Sequence, residues 1–307
     1  MANLPLDAPS ATRRSRRTGD HERQLIGVRQ LSLKNIVAYV FLVALTVYFL
    51  TPLYWLALSS TKNNTDLFSS FGLWFAHFNL WENLSRTFTY GNGEYIHWVF
   101  NTILYAGVGG LVGTFISVMG GYALAKYPFP GRDVIFTLVL GAVLVPVTTL
   151  ALPTYLLMSK INLTNTYWAV LLPALLYPTG VFLARVFAAD AVPNDIMNAA
   201  RVDGAGEFRI FWQVALPLMR SGLVTIFLFQ FVAIWQNFFL PLVVLSDPSL
   251  FPLNLGLATW NFDPASHELL YNLIVTGSFL SVLPLIALFL SLQRYWRAGL
   301  TFGSVTG

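Results

Sequence analysis

Six long stretches of this chain carry no formal charge: residues 35–61, 95–125, 134–159, 161–184, 221–246 and 269–293. A helix crossing a hydrocarbon core of ~30 Å needs ~20 residues. A charge at mid-bilayer costs ~2.5–3.5 kcal/mol on insertion scales. Six windows that avoid that cost predict an all-α polytopic membrane protein with six transmembrane helices. The chain as a whole is 10% charged and 15% aromatic, against ~25% charged for a soluble domain; the aromatic share excludes disorder as the reason. Two shorter charge-free runs do not qualify. Residues 67–81 hold Gly72, His77 and Asn79 and read as an outer loop or interfacial segment. Residues 248–262 hold Pro248, Pro252 and Gly256 and read as loop.

Lys and Arg set the orientation. With the N-terminus inside, fifteen of them fall on inner segments, and only Lys62, Arg86 and Lys160 fall outside. Both termini are therefore expected in the cytoplasm, with an even number of spans. The chain divides into a disordered tail (1–34), a spanning region (35–293) and a C-terminal tail (294–307). The first apolar stretch exceeds the ~7–15 residues of a signal-peptide core, so it reads as a retained span. Arg13, Arg14, Arg16 and Arg17 lie among Pro and Ser, too far upstream for an export signal. They read as part of a solvated tail rather than a nucleic-acid patch.

Several chemistries lack their residues. No GxxxxGK[ST] loop occurs, so the chain does not itself hydrolyse ATP in the P-loop manner. No HExxH pair and no GxSxG elbow occurs. His21, His77, His97 and His267 are scattered at loops and span edges, and there is no cysteine. No metal, cofactor or catalytic group is expected. The spans hold no Asp, Glu or Lys for a proton or sodium relay, which argues against a secondary transporter.

The longest inner loop, residues 188–217, reads AADAVPNDIMNAARVDGAGEFRIFWQVALP. Asn194 or Asp195 is expected to cap a short helix after Pro193. Ile196, Ala199 and Ala200 recur at helical spacing, and Gly204 and Gly206 end the helix. A second helix, from about Glu207 to Ala215, stops at Pro217. It is expected to set Phe208, Phe211, Trp212 and Ala215 on one face, with Arg209 and Gln213 elsewhere. Such a pair suits a groove on another protein or the inner leaflet surface; periodicity does not choose between them.

The stretch NAARVDGAGEFRIFWQVALP resembles the EAA loop of bacterial ABC importer permeases. Ala199, Ala200, Asp203, Gly204, Ala205, Leu216 and Pro217 match that pattern. Asn198 replaces its Glu, Val214 stands for Ile, and Ser221 stands where many members have Pro. Asn101–Leu104 with Gly120–Ala125 and Phe129–Arg132, and Trp235–Leu245, are similar to carbohydrate-type permeases. Residues 299–307 look like the tail of the maltose-type G subunit, with Thr306 in place of Lys.

The resemblance implies a type I ABC importer fold in the cytoplasmic membrane. It implies a second, maltose F-type permease subunit, an ATP-binding subunit dimer, an extracellular solute-binding protein and a sugar as substrate; no nucleic acid is involved. Residues 189–217 would be the coupling loop, with Asn198, Ala199, Ala200, Asp203, Gly204, Ala205, Leu216 and Pro217 as its ATPase-coupling residues. The C-terminal tail would insert between the ATPase subunits. Polar residues within spans are the candidates for the substrate path: Asn101, Thr148, Thr149, Gln230, Gln236 and Asn237, with Trp235 beside them. Such groups also serve as glue between helices. An importer of amino acids, peptides or phosphate, an ATP-independent transporter and a membrane-embedded enzyme are the competing readings.

Overall fold

A computed structural model describes residues 33–261 and 270–300, with side chains as far as residue 295. The first 32 residues, with the Arg13–Arg17 cluster and His21, lie outside these, as do His267 and residues 301–307. The chain forms two compact units, Met1–Pro52 and Leu53–Gly307. In the first, helix α1 (Leu33–Ser59, with Pro52 inside) begins. Residues 34–50 are exposed on every side, and an all-round apolar helix of this kind belongs in lipid. The Thr46 and Thr51 hydroxyls donate back to the Leu42 and Val47 carbonyls, so neither is left unpaired there.

The second unit continues with α2 (Asn64–Ser69), α3 (Leu80–Thr89), α4 (Glu94–Lys126), α5 (Arg132–Val143), α6 (Ala151–Lys160), α7 (Tyr167–Leu175) and α8 (Pro178–Ala191). Then come α9 (Asn194–Val202), α10 (Glu207–Ile210), a π turn (Phe211–Ala215), α11 (Leu216–Leu218) and α12 (Arg220–Trp235). The described residues close with α13 (Phe239–Val244), α14 (Leu253–Asn261) and α15 (Tyr271–Leu300). No strand occurs among them.

Four helical stretches are long and apolar enough to cross a membrane, and two bent pairs raise the number to six. The charge-free windows locate these elements but miss their breaks. Residues 134–159 are not one rod: Arg132–Val143 and Val147–Lys160 meet at 98°, with Pro146 at the corner. The window at 161–184 is shifted, because the helical stretch is Tyr167–Ala191. In the window at 221–246, α12 ends at Trp235 and α13 restarts at Phe239. Residues 248–262 are not simply loop. Leu253–Asn261 is a helix that buries Leu253, Leu255, Leu257 and Trp260. Pro252 stands just before it, where its missing N–H costs no helical bond, and Gly256 gives room to the Trp98 ring.

Helix α4 is the axle, packing against α7, α8 and α12. Its glycines set how closely they approach. A Cβ on Gly121 would lie 2.6 Å from the Arg185 backbone nitrogen and 2.7 Å from the Val181 carbonyl oxygen. A Cβ on Gly113 would collide with the Gln230 side chain. The space at Gly113 has a use. Pro178 has no N–H to offer the Ala174 carbonyl, and Gln230 Nε2 donates to that carbonyl at 2.9 Å instead. The same amide reaches the Gly109 carbonyl at 3.3 Å, and its oxygen accepts from the Thr114 hydroxyl at 3.3 Å.

One face of α4 does the same for the irregular segment before α14. Trp98 Nε1 donates to the Pro248 carbonyl at 3.2 Å. Asn101 Nδ2 donates to the Ser249 and Phe251 carbonyls at 2.7 and 3.0 Å. The Tyr105 hydroxyl donates to the Leu250 carbonyl at 2.9 Å. Side chains about one turn apart on α4 thus pair four successive carbonyls, of which Pro248 also accepts from the Phe251 N–H in a short 3-10 turn.

Replacing Gly121 with Leu forces α4 and α8 apart. The expected loss is roughly 1–3 kcal/mol, the usual cost of overpacking, read as a lower thermal midpoint of the detergent-solubilised protein. Gly107→Leu is the control, since nothing lies within 4 Å of a Cβ there; its midpoint is expected to stay put.

Candidate functional site

The segment from α9 to α11 sits at the Lys126 end of α4. A buried cluster joins the two: Val118 and Tyr122 of α4, Ala184 and Ala188 of α8, then Met197, Ile210, Phe211, Ala215 and Met219. Helix α9 enters this cluster through one fully buried side chain, Met197. Its sulfur accepts from the Tyr122 hydroxyl at 3.9 Å. Asn198, Ala199, Arg201, Val202 and Asp203 are exposed, Val202 to 89% and Ile196 to 44%. The expected side-chain cap at Asn194 or Asp195 is not made. Pro193 holds the N-cap position without a side-chain bond, and Asn194 Oδ1 instead accepts from Lys126 Nζ at 3.5 Å.

The other end of α9 explains the spacing of the Ala and Gly residues. Gly204 takes φ +79°, a left-handed value that glycine adopts without strain. The Ala205 N–H donates to the Ala200 carbonyl at 2.9 Å and the Gly204 N–H to the Arg201 carbonyl at 3.0 Å. These are the two bonds of a Schellman cap, in which the residues here numbered 200 and 205 usually touch. Ala200 and Ala205 are both half-buried against the same cluster. Ala199 and the Asp203 side chain are exposed, and no contact of the Asp203 carboxylate explains its presence.

A polar bracket fixes the turn from outside. Arg201 donates from Nε to Glu207 Oε1 at 2.7 Å and from a terminal nitrogen to Oε2 at 3.2 Å. Its other terminal nitrogen donates to Asn198 Oδ1 at 2.8 Å. The Tyr127 hydroxyl, just beyond α4, donates to Glu207 Oε2 at 2.6 Å. Asn198, where the resembled motif has Glu, is therefore part of the bracket as a neutral acceptor. Arg201 first, then Tyr127, holds the Glu207 carboxyl below its ordinary range. Burial first, then the hydrogen bond to Glu207, raises the Tyr127 phenol above its own.

The second arm differs from the expected single aromatic face. Ile210, Phe211 and Ala215 point inward, whereas Phe208 and Trp212 are exposed. The π turn causes the split: the Leu216 N–H bonds to the Phe211 carbonyl, five residues back, so one residue more than an α-turn is accommodated. Trp212 stacks on Phe115 with ring centroids 5.3 Å apart. Phe208, Arg209, Trp212 and Gln213 line one shallow groove together. The helix does not stop at Pro217 but ends at Leu218. The chain then bends by 79° into α12 at the fully buried Met219.

The span residues separate in the same way. Asn101 and Gln230 are buried and their amides are spent on backbone carbonyls; Asn101 Oδ1 accepts from the Tyr167 hydroxyl at 3.1 Å. Trp235 is buried and stacks on Phe231. Asn237 Oδ1 accepts from the Leu240 N–H at 3.4 Å. Thr148 and Thr149 are exposed at the corner between α5 and α6. Gln236 is exposed and lines a cavity of about 530 Å³ with Thr179, Thr225, Phe229 and Leu288. No group of residues among those described is arranged to hold a metal ion. Reading the residues one by one missed Met197, Tyr127 and Glu207. Met197 is visible only once the helix phase is known, and Tyr127 lies far from the loop in sequence.

A multi-span helical protein with a capped helix standing off one end of its longest span is the architecture of a transport-system membrane subunit. The comparisons bear this out. The chain belongs to the family described as "Binding-protein-dependent transport system inner membrane component", whose pattern matches residues 113–301. It is 38% identical to the arabinooligosaccharides transport system permease protein AraQ of Halalkalibacterium halodurans, over 90% of this chain and 97% of that one. It is 34% identical to the protein of the same name from Bacillus subtilis, over 91% and 98%. The lactose transport system permease protein LacG of Rhizobium radiobacter is 27% identical over 89% and 97%. The fold matches a chain from the crystal structure of a bacterial ABC transporter involved in the import of the acidic polysaccharide alginate. That match has a TM-score of 0.74 at 21% identity and covers 88% of this chain and 99% of the other.

The bracket has a pH signature. A carboxyl depressed in the folded state stabilises it above the ordinary carboxylate range, and the contribution is lost as pH falls through the depressed value. Glu207→Gln is expected to speed amide exchange in residues 195–204 at neutral pH. The wild type should approach the variant only in acid. Hydrogen-exchange mass spectrometry across that pH range checks both.

Proposed function

We propose that this chain is one permease subunit of an ATP-driven importer of carbohydrate. The observation that carries the reading is α9: a helix with one buried anchor, a rigid cap and most of its remaining surface turned outward. Such an element suits a cleft on a partner. The distribution of Lys and Arg supports a cytoplasmic side for it and for both termini, where an ATP-binding subunit would meet it. The names of the relatives above support a sugar or oligosaccharide as cargo. The chain has no phosphate-binding loop, so hydrolysis falls to that partner. A second permease subunit would supply the other half of the path, and an extracellular solute-binding protein would deliver the substrate.

In this reading α9 is the coupling helix. ATP-driven closure of the partner would push α9, and the bracket and the Met197 anchor would pass the push to α4, α8 and α12 as one body. On this side of the path, Gln236, Thr179 and Thr225 present the polar groups. Asn198, Ala200, Gly204 and Ala205 shape the lever, Ala199 and Asp203 face the partner, and Leu216 and Pro217 lead into its bend.

Gly204 tests the lever. A Cβ there meets nothing within 4 Å, so bulk alone is harmless and only the backbone conformation is penalised. A β-branched residue at positive φ costs roughly 1–2 kcal/mol. Gly204→Val is expected to leave the assembled complex hydrolysing ATP while sugar uptake into proteoliposomes falls severalfold. Gly204→Asn, which tolerates this φ, should retain most uptake. Normal uptake by the Val variant would refute the assigned role.

A further inference from the structure

The loop after α1 is inside out. Residues 67–81 hold no Asp, Glu, Lys or Arg. Their rings, Phe68, Phe71, Trp74, Phe75, Phe78 and Trp81, are each more than half exposed. The charges just upstream are hidden instead: Lys62 is 1% exposed and Asp66 8%. A surface in contact with water does the reverse, turning Lys and Asp outward and large apolar groups inward.

The inversion is held in place by hydrogen bonds. Lys62 Nζ donates to the Ser70 hydroxyl at 2.9 Å and to the Phe71 carbonyl at 2.8 Å. The Asn79 N–H donates to the Thr61 carbonyl at 2.7 Å and so closes the two ends of the loop. Asn83 of α3 donates to the Ser60 and Lys62 carbonyls, each at 2.9 Å, and accepts from Asn272 of α15 at 2.8 Å. The polar groups are spent within this base, and the rings are left outside it.

The depth of the loop follows from α1. Counted from Lys34, ~20 residues of helix cross the hydrocarbon core, which sets the far boundary beside Tyr54 and Trp55. The loop folds back to that level. The Tyr54 hydroxyl donates to the Leu73 carbonyl at 3.2 Å, and a Cβ on Gly72 would lie 3.6 Å from Trp55 Nε1. Tyr54 and Trp55 are themselves exposed, so rings of α1 and rings of the loop form one continuous apolar surface.

We propose that residues 71–78 are an interfacial anchor, seating Phe71, Trp74, Phe75 and Phe78 in the headgroup–acyl boundary of the phospholipid leaflet at the end of α1 remote from Lys34. Aromatic side chains are favoured at that depth, and charge is not. A protein partner usually meets a polar rim around an apolar centre; the only ionisable side chain here is His77, whose Nδ1 lies 3.2 Å from the Asp66 carboxylate. Through Asn83 the anchor ties the ends of α1, α3 and α15 to one level of the bilayer. The inference is independent of what the complex carries.

The test uses the complex of permease and ATP-binding subunits in nanodiscs of phosphatidylethanolamine and phosphatidylglycerol. The chain has no cysteine, so with cysteine-free partners a nitroxide label goes to one introduced thiol. Phe75→Cys and Phe78→Cys probe the loop independently, and Ser85→Cys, exposed on α3, is the reference. Electron paramagnetic resonance reads collisions of each label with oxygen, which concentrates in lipid, and with a nickel chelate, which stays in water. The oxygen-to-nickel ratio at 75 and 78 is expected to exceed that at 85 severalfold in complexes that co-elute intact. Equal ratios at all three positions place the loop in water and overturn the proposal. Labels at 75 and 78 shielded from both reagents mean that protein covers the loop, which overturns it equally.

Discussion

A carbonyl group inside a bilayer has no water to turn to, and much of this structure is arranged around that fact. A straight helix satisfies itself, but breaks do not. The Gln230 amide takes the Ala174 carbonyl that Pro178 cannot serve. Trp98, Asn101 and Tyr105 take the carbonyls of residues 248–251. These side chains in turn dictate smaller neighbours. Gly113 exists beside Gln230 and Gly256 beside Trp98 because a methyl group at either place would displace the donor. Polar residue, proline and glycine are thus three parts of one requirement, spread over helices distant in sequence.

The segment from α9 to α11 follows the opposite logic. It lies where side chains are exposed, and it is fixed by a few groups of different kinds. Met197 anchors it by burial, the Schellman cap sets its end, and the Glu207 bracket ties α9 to α10 and to Tyr127. Each acts at a different point, so α9 has a defined direction while most of its surface stays open.

The sequence reveals the spans because insertion penalises charge residue by residue, and that cost needs no knowledge of neighbours. It conceals their breaks for the same reason, since absence of charge marks depth and not direction. The corner near Pro146 and the interruption after Trp235 therefore lay hidden inside charge-free windows. Helix α14 was obscured by Pro252 and Gly256, which read as breakers in isolation but are a helix start and a ring contact in the fold. At the candidate site, the Gly204 turn and the presence of a second arm were legible from local chemistry, but the facing of that arm was not, because the π turn at Phe211–Ala215 shifts its helical phase. The role of Asn198 was not, because Arg201 and Glu207 meet only after the turn is made. Asn101 and Gln230 were legible as polar residues in spans, but their partners are carbonyls, which a sequence of side chains does not display.

The π turn at Phe211–Ala215 makes the second arm count its residues. Removing any one of them would let the segment relax to an ordinary α-helix and turn everything upstream by about 100°, one residue's rotation. The apolar side of α9 would then face away from the cluster that Met219 anchors. The exposed side chains in this segment are open to exchange in a way that its length is not, so substitutions there and single-residue deletions belong to different orders of consequence.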